Sequence, residues 1–146
     1  MSLNFSAIRA AFTTQIQTVS GFKLTKQSPS YFGRTRETVV HKAFVVSVDQ
    51  TNQVVEERQR RTIGVYVQSN VQVRFSFRLR PMDMYPNDYD NALNAEVQVI
   101  NACMKSYAAI NNKVQVRYIS SSRLVTESQE YMIHTIDFTV LHTIGE

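Results

Sequence analysis

Val71-Gln72-Val73-Arg74-Phe75-Ser76-Phe77-Arg78-Leu79-Arg80 alternates apolar and polar residues without exception. Successive side chains of a β-strand point to opposite faces, so this stretch reads as a strand with one apolar and one polar face. A helix would scatter those five apolar residues around its circumference. The apolar face calls for a core, and the polar face meets water or a partner, as in antiparallel sheets covered on one side.

Immediately upstream, Ile63, Val65 and Val67 alternate with Thr62, Gly64 and Tyr66, which predicts a strand over 61–68, and Ser69-Asn70 reads as a short turn between the two strands. Residues 49–60 are highly polar and read as an extended hairpin tip or loop, preceded by a strand over 39–48. A polar loop over 25–37, with Pro29 and Gly33, and a short extended piece, Phe22-Lys23-Leu24, precede that strand. At the start of the chain, Leu3, Phe5, Ile8, Phe12, Ile16 and Val19 recur at three- and four-residue steps and predict a helix over 3–19. Ser2 or Asn4 can cap it, and Gly21 suits the left-handed position that follows a helix.

Downstream, Pro81 through Pro86 breaks the alternation, and Asn87 or Asp88 opens a second helix reaching about residue 108. Its expected buried stripe is Tyr89, Leu93, Val97, Ile100 and Met104, widened by Ala92, Glu96 and Cys103. Asn111-Asn112 reads as a turn, 113–119 and 130–142 as strands, and 120–129 as a polar link between them. On the last strand Met132, His134, Ile136, Phe138 and Val140 share one side. The order implies an α+β domain spanning 1–146: an antiparallel β-sheet with two α-helices packed on one face and an extended β-hairpin or loop.

At 146 residues and 43% hydrophobic content, the chain can bury a core without disulfides or metals, and it is too apolar for a disordered segment. Cys103 is alone, so no intramolecular disulfide can form, and no Cys/His set has zinc spacing. The N-terminal residues lack a basic segment followed by an apolar one, and no apolar run approaches ~20 residues, so a cytoplasmic protein without a membrane span is expected. Net charge is +4, a mild excess that permits a polyanionic partner without requiring one.

Catalytic patterns are missing. The four glycines fit neither a dinucleotide-binding nor a phosphate-binding loop, and no nucleophile elbow occurs. His134 and His142 share strand parity but lie roughly 27 Å apart at ~3.4 Å per residue, too far to share a metal, and read as hydrogen-bonded strand histidines. Asp83, Asp88 and Asp90 lack the glycine and terminal Glu of a calcium loop and read as helix-capping and dipole residues. Cys103 lacks a cationic partner and reads as a small core hydrophobe. No enzyme activity and no cofactor are expected.

Arginine is the exception to this plainness, since eleven of the 16 cations are Arg. Arg74, Arg78 and Arg80 fall on one parity of the alternating strand, and Arg58, Arg60 and Arg61 crowd the preceding polar segment beside Glu56 and Glu57. Arg pairs bidentately with carboxylates and phosphates, so the cluster reads as a ribbon meeting acidic groups of a neighbouring subunit or the phosphates of nucleic acid. A solvated sheet face whose charges deter edge aggregation is the plainer alternative.

The segment order, with His41-Lys42-Ala43-Phe44-Val45-Val46, the polar hairpin, Arg80-Pro81-Met82-Asp83, Asp88-Tyr89-Asp90-Asn91-Ala92-Leu93 and Ile136-Asp137-Phe138-Thr139-Val140-Leu141-His142, resembles the tail terminator (tail completion, minor tail protein U-like) proteins of long-tailed bacteriophages. The resemblance covers most of the chain through layout and short strings. It implies a structural virion protein at the head-proximal end of the tail, assembled in the host cytoplasm. A hexameric ring would cap the tail tube, stop its polymerisation and join it to the head-completion or connector protein, with genomic DNA passing through the lumen. Glu56, Glu57, Arg58, Arg60, Arg61, Arg74, Arg78 and Arg80 are then the candidate subunit-interface or lumen residues. Another neck or tail-tube ring protein, or a basic nucleic-acid-binding module, are the alternatives.

Overall fold

The computed structural model describes residues 4–25, 41–53, 65–80, 87–106, 114–126 and 130–144. In chain order these form α1 (Phe5–Gln17), β1 (Lys23–Leu24), β2 (Ala43–Gln53), β3 (Val65–Arg78), α2 (Asn87–Met104), β4 (Gln115–Val125) and β5 (Tyr131–Ile144). The strands make one open five-stranded sheet in the order β1-β2-β3-β5-β4. The pairings of β2, β3, β5 and β4 are antiparallel, as expected, and two-residue β1 adds itself to β2 in parallel.

Both helices cover the same sheet face. Ile8, Phe12 and Ile16 of α1 and Ala92, Ala95, Val99 and Cys103 of α2 share one apolar cluster with Phe44, Val73, Phe75, Ile136 and Phe138. Phe12 meets the Phe138 ring edge-on at 5.5 Å, and Phe22 meets Phe75 in the same way at 5.1 Å. The alternation over 71–78 therefore does what its period demands, with Val71, Val73, Phe75 and Phe77 inward. α1 is capped by Asn4, whose Oδ1 accepts from the Ala7 backbone N–H at 2.8 Å. Gly21 follows the helix with φ of 84°, in the left-handed region expected of it.

Four expectations need correction. Ser69-Asn70 is no turn: β3 runs unbroken through both residues, with Ser69 fully buried on the helix side. Residues 49–53 belong to β2, and 120–125 belong to β4 rather than to a link. Of the expected α2 stripe, Ala92, Glu96 and Cys103 are buried and Ile100 and Met104 pack against the core, but Tyr89 and Val97 are exposed, and Ala95, Val99 and Ala102 take their place on the buried face. The expected hairpin tip over 54–60, the strand start over 61–64 and Pro81 through Pro86 lie outside the described residues.

Two strand irregularities explain the middle pair of corrections. The β2–β3 register shifts between Val48 and Gln50, and the β4–β5 register shifts between Tyr118 and Ser120. An extra residue in one strand reverses which face later side chains occupy. After the first bulge Thr51 stands opposite Ser69, and after the second Ser121 and Arg123 stand opposite Ile136 and His134, all on the helix-covered face. Polar residues that break the period of two are thereby delivered to buried partners.

Candidate functional site

The structure separates the arginines. Arg58, Arg60 and Arg61, with Glu56 and Glu57, lie outside the described residues. By strand parity Arg74 and Arg78 fall on the sheet face away from the helices, Arg74 half-buried and Arg78 exposed at the very end of β3, where it also borders the cleft between the sheet end and α2. Arg80 leaves this row, because β3 ends at Arg78 and the chain turns toward α2. There Asp88 accepts three hydrogen bonds from Arg80: from the backbone N at 2.7 Å, Nε at 3.0 Å and Nη2 at 2.8 Å. Those guanidinium and backbone bonds hold the Asp88 carboxyl below the usual carboxylate range. Asp88 therefore ties the start of α2 to the end of β3, a stronger local role than simple capping.

Beside this pair lies an open cleft of about 580 Å³ at the end of the sheet, between His41, Lys42, Phe77 and Arg78 on one side and α2 on the other. Lys42 adopts φ of 59°, a left-handed conformation unusual for a residue with a Cβ. Its Nζ donates to the Ser20 carbonyl at 3.1 Å and lies 5.6 Å from the centre of the Phe22 ring. The adjoining His41 accepts the Arg78 backbone N–H at Nδ1, 3.0 Å away. That bond fixes a neutral ring with its proton on Nε2. Burial, then the nearby Lys42 and Arg78 charges, push the His41 pKa down.

A second polar group lies inside the core and was missed as a unit by the sequence reading. Glu96, 3% exposed, accepts from His134 Nδ1 at Oε1, 2.8 Å away, and from the Arg123 guanidinium and Ser121 hydroxyl at Oε2. Burial alone would raise the Glu96 pKa, but Arg123 and His134 outweigh it and leave the carboxyl below its ordinary value. His134 stacks on Phe75 with ring centres 4.2 Å apart, and burial lowers its pKa. The one sequence signal was a carboxylate inside an apolar helical stripe. Its partners were hidden because Arg123 faces inward only after the β4 bulge.

A similar relay crosses β2, β3 and β5, where Thr51 Oγ1 lies 2.8 Å from Ser69 Oγ, which lies 2.8 Å from His142 Nε2. A serine beside a histidine is the start of a nucleophile–base pair. Here both residues are sealed, at 0% and 1% exposure, and the Phe5 ring stands edge-on over His142. The pair is structural. Burial pushes the Cys103 thiol well up, which leaves it unreactive. Among the described residues no group of three His, Cys, Asp or Glu side chains could hold a metal, and no helix is long and apolar enough to cross a membrane.

The remaining conspicuous feature is the sheet edge at β4. No strand pairs with its outer side among the described residues. Tyr118, Ile119, Leu124 and Val125 are 42%, 55%, 73% and 43% exposed along it, more large exposed apolar side chains than any other strand carries among the described residues. No protein-family model matches the chain, and no curated protein matches it.

Proposed function

We propose that this chain is a structural assembly subunit of the tail-terminator type. Copies close into a hexameric ring that caps a phage tail tube, ends its growth, meets the head connector and lets genomic DNA through, with no reaction catalysed. The observation that carries this reading is the β4 edge. A long strand with unpaired backbone groups and apolar side chains is a template for another chain, and monomeric proteins blunt such edges with charge, proline or bulges. On β4 the exposed Arg117 and the bulge after Tyr118 blunt only the first half, and Arg123 in the second half turns in to Glu96.

Ring closure needs two different complementary surfaces on each subunit. The opposite sheet edge supplies one, since β1 covers only Ala43 and Phe44 of β2 and no described strand pairs beyond them. The enclosed polar groups support a scaffold role, because Glu96 pairs with His134 and Ser69 with His142 inside the core, out of reach of a substrate. Sedimentation velocity and electron microscopy of the purified protein test the reading. A discrete closed ring is expected; filaments would point to a tube subunit, and a monomer at high concentration would overturn the assembly role.

A further inference from the structure

The ring reading makes no use of the cleft beside Arg80. Its electrostatics are one-sided. Asp88, the acid in its lining, is neutralised by the bidentate Arg80 and by the Arg80 backbone N–H. Among the described residues, that leaves Arg78 and Lys42 as the cations on the strand side with no acid beside them in the lining. The Arg78 side chain is exposed and forms no ion pair among the described residues, and the Lys42 ammonium has three N–H donors, of which one serves Ser20. Concave walls with one sign of charge focus the field on an anion.

The facing wall is uncharged but rich in hydrogen-bonding groups. Asn91, Asn94 and Gln98 of α2 line it at three- and four-residue steps, so three carboxamides run along about 10 Å of one helix face. All three are exposed, so none is fixed by the core. Carboxamides offer donors and acceptors together, which suits a neutral polar group attached to the anion. Phe77 adds an apolar surface between the two walls. The volume of about 580 Å³ falls in the range of about 300–1,000 Å³ used for small organic ligands.

An independent observation sits at the same place. Lys42 holds a left-handed backbone, a conformation that carries a steric cost for any residue with a Cβ. Backbone strain of this kind persists where the surroundings over-determine it and concentrates at ligand sites. Here it falls on Lys42, which lines the cleft together with His41, whose Nδ1 accepts from Arg78 N.

We propose that this cleft binds a phosphate ester, with Arg78 and Lys42 holding the phosphate and the Asn91–Asn94–Gln98 wall meeting the hydrogen-bonding group it carries, as in a nucleotide. The phosphate can belong to a free nucleotide or to a nucleic-acid backbone, and titration separates the two sources. Calorimetry is carried out on the full chain with inorganic phosphate, a nucleoside monophosphate and a short single-stranded oligonucleotide, at about 50 and 200 mM salt. A free-nucleotide site binds the monophosphate more tightly than inorganic phosphate. A backbone site binds only the oligonucleotide, with affinity falling steeply with salt. In either case Asn94→Asp, which places a carboxylate on an exposed wall position, and Arg78→Gln should each weaken binding about tenfold or more while the thermal midpoint stays put. No heat with any of the three probes up to about 10 mM, or binding that both variants leave unchanged, would overturn the proposal.

Discussion

Glu96 and His134 sit 38 residues apart in the chain, yet Oε1 of one lies 2.8 Å from Nδ1 of the other, under a helix and out of water. This contact locks α2 to β5, and the neighbouring Arg123 contact locks α2 to edge strand β4. Apolar packing alone leaves a helix free to rotate about its axis at small cost, whereas a buried carboxylate must point at its donors. Glu96 thus fixes which face of α2 meets the sheet.

Truncating Glu96 should therefore be far more damaging than truncating Arg123. Glu96→Ala leaves a buried His134 without its acceptor and opens a cavity, at a cost of about 2–4 kcal/mol. Arg123→Ala removes a side chain that is 39% exposed, and solvent screening limits its cost to about 1 kcal/mol. Urea denaturation of the two variants checks the order, and equal midpoints would refute the assignment of Glu96 as the central acceptor.

Acid should loosen the fold before any carboxylate titrates. Burial lowers the pKa values of His41, His134 and His142 from 6.5, so below about pH 7 the unfolded chain binds more protons than the folded one. Stability is then fully present above pH 6.5 and is lost as the pH falls toward the folded values. Glu96 and Asp88 are shifted below their ordinary 4.5 and 3.8, so their contribution is lost only in stronger acid. Urea midpoints at about pH 7.5 and 5.5 should differ, and His142→Gln should narrow the gap. A midpoint indifferent to pH across this window would contradict the burial of the neutral rings.

At position 42 glycine should outperform alanine. An L-residue in the left-handed region costs about 1–2 kcal/mol, and glycine loses only about 0.5–1 kcal/mol in chain entropy. Both Lys42→Gly and Lys42→Ala forfeit the Ser20 bond and the Phe22 contact, so the comparison isolates the backbone. Lys42→Gly is expected to unfold at the higher temperature in differential scanning calorimetry. The reverse order would mean that φ of 59° is unstrained here.

The sheet and helices were legible wherever one periodicity held over a whole element. Phe75 and Phe77 on β3 and Ile8, Phe12 and Ile16 on α1 mark their buried faces through spacing alone. The reading failed where polar residues are buried for each other's sake. Ser69 looks like a turn residue because its partners, Thr51 and His142, come from two other strands. The serines of β4 look like a linker because its bulge reverses the parity that would have marked Ser121 and Arg123 as inward. Arg80 looks like a third member of a cationic row, and only the return of α2 beside β3 reveals Asp88 as its partner. Each miss involves a long-range polar pair, for which a single sequence carries no local signal.

The β4 edge offers the decisive variant for assembly. Leu124 is 73% exposed, so Leu124→Lys should change monomer stability by no more than about 0.5 kcal/mol. In an assembled edge the same lysine would put a charge into a desolvated contact and disfavour association strongly. The expected result is a monomer with an unchanged circular dichroism spectrum where the parent forms a ring. Reversal of Arg58, Arg60 and Arg61 to Glu tests the polar segment between β2 and β3 in the same way, since a charge reversal at a subunit boundary acts through repulsion. If Leu124→Lys still assembles while the arginine reversal does not, contact runs through that polar segment and the β4 edge is bystander surface. If both assemble normally, neither surface joins subunits, and the apolar side chains of β4 await another partner.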